Sequence, residues 1–279
     1  MKQLHFLIYL LAYTIALTPA MIYTSLADSL PLRFSGFIQH DTFWDSRQVI
    51  ADREGLGLYF PAKRINDVNG RDINAQGEFN MLPIYTRLAV EADGPRAYNA
   101  KTRGYIEVDF LGRVNIPNIL RMRHAYLDLI WKHMSLRAGQ YWHPLTVPEA
   151  LPDIVDINTG WPMNPFLRSP QILFRYAKNH HEIKLAAITQ LDGTSPGPAG
   201  RSSTYMRNAI IPNLYAEIKG LWKHQFAGIG IDYKRLRPRL SSTMGGKLYK
   251  VNETLNSVSG IIFGALQYPD WHLYTKWTD

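Results

Sequence analysis

The chain has 279 residues, 46% hydrophobic and 12% aromatic, with a formal net charge of +8 and a mean hydropathy of −0.20. That length allows one barrel or one or two ordinary domains, and so much apolar content at so low a hydropathy means finely interleaved apolar and polar residues. The chain has no Cys, which excludes a disulfide framework and any cysteine-based metal or redox site. The charge leaves three partner classes open: nucleic acid, an anionic surface and an anion path.

Lys2 precedes an apolar run from Phe6 to Leu17, then Pro19 and a small-residue close at Ser25-Leu26-Ala27. This pattern reads as a secretory signal peptide over residues 1–27, cut after Ala27, leaving 28–279 as one β domain. An uncleaved anchor is the alternative, but it reaches Tyr23 only by accepting Thr14, Thr18 and Pro19. No later run of about 18 apolar residues exists, so a second helical span is excluded while a β-barrel is not.

From there the chain alternates with period two between turn residues, the pattern of strands with one wet and one apolar face. Strands are expected at 33–45, 81–92, 101–113, 119–132, 134–142, 171–178, 181–191, 213–221, 224–236, 256–267 and 271–277. In 81–92, Leu82, Ile84, Leu88 and Val90 share a face with Thr86, opposite Tyr85, Arg87 and Glu91. In 101–113, Ile106, Val108 and Phe110 oppose Arg103, Tyr105, Glu107 and Asp109.

Periodicity does not say which face meets water. A soluble sandwich buries its apolar face, whereas a membrane barrel turns it to lipid and its charges to a wet lumen. Three features favour the barrel. The strands run to roughly 10 residues, longer than soluble sheets use. Aromatics (Phe43, Trp44, Tyr98, Tyr105, Trp131, Tyr141, Trp142, Trp222, Trp271 and Trp277) gather near strand ends, as interface girdles do. Tight turns near 131–134 and 178–181 contrast with long connections at 46–80 and 143–170, the barrel habit of short turns on one side and long loops on the other. The expected class is therefore all-β, a transmembrane antiparallel β-barrel of porin type, in the outer membrane of a Gram-negative cell.

Four stretches carry a family resemblance: Ser35-Gly36-Phe37-Ile38-Gln39-His40-Asp41-Thr42, then Gly104-Tyr105-Ile106-Glu107-Val108-Asp109-Phe110, Leu120-Arg121-Met122-Arg123-His124-Ala125-Tyr126 and Arg137-Ala138-Gly139-Gln140-Tyr141-Trp142. In this order they resemble Gram-negative outer-membrane porins of the DcaP-like (dicarboxylate) and phosphate-selective porin-like group. The resemblance implies a homotrimer of barrels of about sixteen strands, with a basic constriction passing small dicarboxylates or similar anions. Two features depart from it. The strand candidates are odd in number, and the chain ends Lys276-Trp277-Thr278-Asp279 rather than on a terminal aromatic. The sequence is therefore expected to stop before the last strands of its barrel.

The expected pore lining is Arg87, Arg103, Arg121, Arg123, Arg137 and Arg175, with Glu107 and Asp109 among them and Glu91 beside them. Arg121 and Arg123 sit two apart and so point the same way. Arginine rings select anions, and the planar guanidinium suits carboxylate or phosphate. Mutual pairing of these charges is the competing reading. Segment 143–170 carries Pro144, Pro148, Pro152, Pro162, Pro165 and Pro170, which stiffen it and bar it from a ladder. It is expected to fold into the lumen as a constriction at Trp161 and Arg168, flanked by Glu149, Asp153 and Asp156. The alternative is an external cover.

Enzymatic signatures are weak. His40 and Asp41 alternate to opposite faces. His180-His181 lies at a turn, and His124, His133 and His143 read as surface or interface residues. Ser195, Ser202 and Ser203 lack a G-x-S-x-G elbow, no phosphate-binding Gly loop is present, and basic residues mixed with acids argue against nucleic acid. The expectation is a passive channel for small anionic solutes, in contact with outer-membrane lipid, with no cofactor, no metal and no enzymatic activity. The rival classes are a soluble or surface-attached β-sandwich that binds carbohydrate, and a barrel enzyme acting on lipid or phosphate esters.

Overall fold

A computed structural model describes residues 31–112, 119–151, 154, 157, 166–268 and 271–278. The expected signal peptide lies outside the described residues. Eleven strands form one antiparallel sheet in which each strand pairs with the next. They are β1 (Leu32–Phe37), β2 (Arg87–Ala97), β3 (Ala100–Asp109), β4 (Arg121–Ile130), β5 (Met134–Trp142), β6 (Arg168–Lys178), β7 (His181–Ile188), β8 (Asn213–Trp222), β9 (Gln225–Leu236), β10 (Leu255–Tyr268) and β11 (Trp271–Thr278). The class is all-β, as the period-two pattern requires, and the sheet is a meander of the outer-membrane barrel type. Among the described residues β1 pairs only with β2, and β11 only with β10.

Short and long connections segregate to opposite ends of the sheet. The links β2–β3, β4–β5, β6–β7 and β8–β9 are tight. Tyr98 and Asn99 turn with φ of 52° and 60°, and Asn179 with φ of 55°, the left-handed geometry that matches hairpin twist. The links β1–β2, β3–β4, β5–β6, β7–β8 and β9–β10 are long. The first contains two further two-stranded ladders, Asp41–Asp45 with Glu78–Leu82 and Val49–Asp52 with Gly57–Pro61.

Alternation along each strand sorts the side chains. One face presents Leu88, Ile106, Leu127, Ile172, Leu185, Ile218, Ile229, Ile262 and Leu273, all between 49% and 61% exposed. In water each such residue would forfeit about 1.5–3 kcal/mol of burial, and a continuous band of them has hydrocarbon as its natural solvent. The other face buries Asp109, Arg123, Asp128, Glu182, Glu217 and Lys219.

Two expected strands break. Segment 33–45 divides because the Gln39 amide and carbonyl bond to the Thr86 hydroxyl instead of a ladder partner. Segment 81–92 divides at Pro83, which has no N–H to donate and starts a turn closed by the Thr86 amide. Ile84 therefore does not share the face of Leu88. It is buried against Leu56 and Leu111. The girdle expectation also needs correction. Tyr98, Trp222 and Trp277 are exposed near strand ends, but Tyr105 stacks on Tyr126, and Tyr141 packs on both Tyr126 and His124, on the charged face.

Candidate functional site

The charged face carries two networks. The first spans β2 to β6 and is built on arginine. Arg121 donates to Asp109 at 3.0 and 2.7 Å. Arg123 bonds both Glu107 at 2.5 Å and Asp109 at 3.0 Å. Asp128 accepts from Arg103 at 2.8 Å and from Arg137 at 2.8 and 2.9 Å. The Arg137 guanidinium lies between the rings of Tyr126 and Tyr141, 3.8 and 4.0 Å from their centroids. Each carboxylate is thus shared between cations, or each cation between carboxylates, which is how buried ions offset their desolvation.

A bulge makes this cluster possible. The β3–β4 register shifts between Glu107 and Val108, so Asp109 opposes Arg121 while Glu107 opposes His124. Arg123 is the extra residue, and both it and His124 end up buried with the charges. Beyond the bulge the parity of β4 changes, bringing Tyr126 and Asp128 to the same face. Without it, the face holding Arg121 and Arg123 would carry Ala125 and Leu127 instead.

Of the arginines on this face that keep a buried nitrogen without a hydrogen-bond partner, Arg103 still meets two carboxylates, whereas Arg87 and Arg168 are less fully paired. Arg87 donates to the Tyr85 hydroxyl at 2.6 Å and lies over the rings of Phe37 and Tyr85. Among the described residues it makes no ion pair. Arg168 is 3% exposed, pairs with Asp192 at 3.0 Å and stacks over Trp142. Its Nε and Nη1 have no hydrogen-bond partner, nor does the Nε of Arg87.

The second network spans β6 to β8 and uses lysine. Glu182 accepts from Arg175 at 2.7 Å and pairs with Lys219 at 2.9 Å and Lys184 at 3.4 Å. Lys184 also reaches Glu217 at 2.9 Å, and Glu217 accepts the Tyr215 hydroxyl proton at 2.7 Å.

The start of the long β5–β6 connection lies on this same face. Val147 and Ala150 pack into a dry patch of Ile188, Tyr215, Ile261 and Phe263. Glycine opposite these rings gives the room: a Cβ on Gly228 would meet Phe263 at 2.4 Å, and one on Gly230 would meet the Tyr215 hydroxyl at 2.3 Å. Polar ties complete the seat. Lys219 bonds Glu149 at 3.2 Å, and Lys276 bonds the Thr146 carbonyl at 2.9 Å. The His143 imidazole is buried 3.9 Å from Asp232, and its Nδ1 accepts from the Leu145 amide at 3.3 Å. Burial, reinforced by Lys234 nearby, lowers this imidazole to about 4. Between the segment and the sheet lies a cavity of about 850 Å³, lined among others by Arg103, Arg137, Trp142, Glu149, Lys184 and Lys219.

All eight residues expected to line a pore, from Arg87 to Arg175 with Glu107 and Asp109, fall on this one face. Of the two constriction residues, Arg168 is buried at the start of β6, while Trp161 lies outside the described residues, as do Asp153 and Asp156. His124 and His143 were expected at a surface or interface and are buried instead. Lys184, Lys219, Glu182 and Glu217 were not singled out, although their i, i+2 spacing on two adjacent strands was the available signal. Among the described residues no three of His, Asp and Glu are grouped to hold a metal ion.

No family model matches the chain, and no curated protein sequence matches it. Two solved structures are similar. One is a loop L8 deletion mutant of OmpT, an outer membrane protein of Vibrio cholerae, at 9% identity and TM-score 0.49, covering 90% of this chain and 69% of that one. The other is outer-membrane-expressed OmpT of Vibrio cholerae, at 10% identity and TM-score 0.49, covering 90% of this chain and 64% of that one. The chain thus spans about two thirds of their length. Both are described as outer-membrane proteins; independently of them, the apolar outer face here is the surface that a bilayer requires. The narrower resemblance to DcaP-like porins finds no counterpart in these matches. The expectation of a protein without enzymatic activity is corrected here: the matched chains are described only as outer-membrane proteins, a likeness that leaves catalysis open.

Proposed function

We propose that the described strands form the wall of an outer-membrane diffusion channel whose lumen favours small anions such as dicarboxylates or phosphate. One observation carries this reading. Among the described residues Arg87 makes no ion pair and Arg168 pairs with Asp192 alone, so their guanidinium charge is less fully matched than that of their neighbours, and both lie within electrostatic reach of Arg123 and Asp109. Positive charge left incompletely matched behind the wall draws an anion into the passage. The paired arginines around them hold the carboxylates in place, so an entering anion meets little competition from mobile negative groups. The segment from His143 to Leu151 narrows the passage from one side.

The test is a bilayer measurement. The full-length protein, reconstituted under a salt gradient, should show currents that reverse at an anion-favouring potential. Replacing Arg87 and Arg168 together by Ala should move that potential toward zero. Cation preference in the unaltered protein would end this reading.

A further inference from the structure

The outer wall near the long-loop end is not a smooth apolar belt. A shallow groove of about 510 Å³ crosses β6 to β10 there. Its floor is made of small residues, Ala187 and Ala216, and its walls of Ile172, Leu185, Leu214 and Ile231. Ladder pairing fixes this arrangement, since Ala187 stands opposite Ile172 on one side and Leu214 on the other. Toward the loops a second apolar depression of about 590 Å³ begins at Pro170, Thr189 and Pro212 and includes Arg207. The Thr189 amide bonds the Pro170 carbonyl, one step beyond the Ile172–Ala187 pair. The two depressions thus follow one another along the same face.

The charge above this groove is one-sided. The connections 189–212 and 237–254 carry Arg201, Arg207, Arg237, Arg239, Lys247 and Lys250 against only Asp192 and Glu253. Both acids are engaged, Asp192 with Arg168 and Glu253 with Arg239, each at 3.0 Å. Arg207 is exposed. Arg235, part-exposed, stands two residues beyond groove-lining Tyr233 on the same face of β9 and makes no ion pair among the described residues, its Nη2 lying 3.4 Å from the Thr254 hydroxyl. An apolar slot ending under the exposed Arg207 and the part-exposed Arg235 complements a molecule with a hydrocarbon tail and an anionic head.

We propose that this groove binds an acyl chain of a phosphorylated lipid, with Arg207 and Arg235 holding the phosphate. The site faces the bilayer and is independent of what passes through the lumen. Guanidinium and phosphate make paired, charge-assisted hydrogen bonds, while the alanine floor leaves depth for one chain.

The protein in a neutral detergent should be titrated with phosphatidic acid and with phosphatidylcholine of identical chains, and bound lipid counted by native mass spectrometry. Phosphatidic acid should be retained one per protein, about tenfold better than the choline lipid, the yield of one charge-assisted contact. Arg207→Ala with Arg235→Ala should erase that preference while leaving residual binding of both lipids. Ala187→Leu with Ala216→Leu should fill the groove and remove retention of both. Equal retention of the two lipids by the unaltered protein would overturn the proposal. So would dimers or trimers that Ala216→Leu dissolves, since the groove would then be a subunit contact.

Discussion

The two halves of the charged face follow the same alternation and do different work. From β2 to β6 the inward positions are arginines, carboxylates and tyrosines, and the arginines are braced by flat aromatic rings. From β7 to β11 the lysine network occupies part of the face, and beside it Gly228 and Gly230 make room for Tyr215, Ile261 and Phe263, whose dry patch seats the segment from His143 to Leu151. Under the proposed function, such a face spends some positions on fixed charge and others on holding the element that narrows the passage. Here the division runs along strand order, so the contrast can be tested one half at a time.

The largest effect should come from the arginine half. Arg123 is 3% exposed and ties Glu107 to Asp109. Arg123→Ala leaves Glu107 with the Tyr105 hydroxyl and no guanidinium and weakens the hold on Asp109, and breaking a buried pair costs about 3–5 kcal/mol. The urea midpoint of the lipid-reconstituted protein, followed by tryptophan fluorescence, should fall accordingly. A midpoint unchanged in Arg123→Ala would mean that the network is solvated, and its members would then be interchangeable lumen charges. In the other half, Phe263→Ala should cost about 3 kcal/mol through the cavity it leaves. It should also unseat Val147, so single-channel noise should rise with mean conductance. A stability loss with unaltered noise would separate the patch from the segment.

Much of this division was legible in the sequence, for particular reasons. Long strands with strict alternation showed both the sheet and the face that Arg87, Arg103 and Arg137 occupy, because a period of two leaves no freedom once a strand is recognised. The bulge at Arg123 was not read, although its trace was there: Arg121 and Arg123 share one parity and Asp128 the other, so a single unbroken strand cannot put all three on one face. Pro83 was likewise a visible break in 81–92. The dry patch was harder to see. Gly228, Gly230, Tyr215 and Phe263 lie on three strands, and only pairing shows that rings fill the places where side chains are missing. The unpartnered nitrogens of Arg87 and Arg168 depend on which partners the fold withholds, and no local pattern encodes that.

The seat of the segment should also respond to pH. His143 is held at about 4 by burial and by Lys234, and Asp232 faces its ring. An undocked imidazole titrates near 6.5. Docking is therefore fully favourable above that value and weakens as pH falls, because only the undocked form takes up the proton. Between pH 7 and 5 the loss is about 2 kcal/mol. Protonation would also cost the bond in which Nδ1 accepts from Leu145. Channel noise should increase on acidification over this range, and His143→Gln should flatten the response. Equal pH sensitivity in that variant would move the titration elsewhere.

The smallest effect should be at the rim of the seat. Glu149 is half exposed, and its partner Lys219 keeps Glu182 at 2.9 Å when Glu149 is removed. Glu149→Gln should therefore change stability by less than about 1 kcal/mol, as exposed pairs do. It nevertheless removes a negative charge from the wall of the cavity that also contains Lys184 and Lys219. The reversal potential should shift further toward anions while the urea midpoint stays put. A shift toward cations would mean that Glu149 acts mainly by holding the segment in place, and that loosening the seat outweighs the charge it removes.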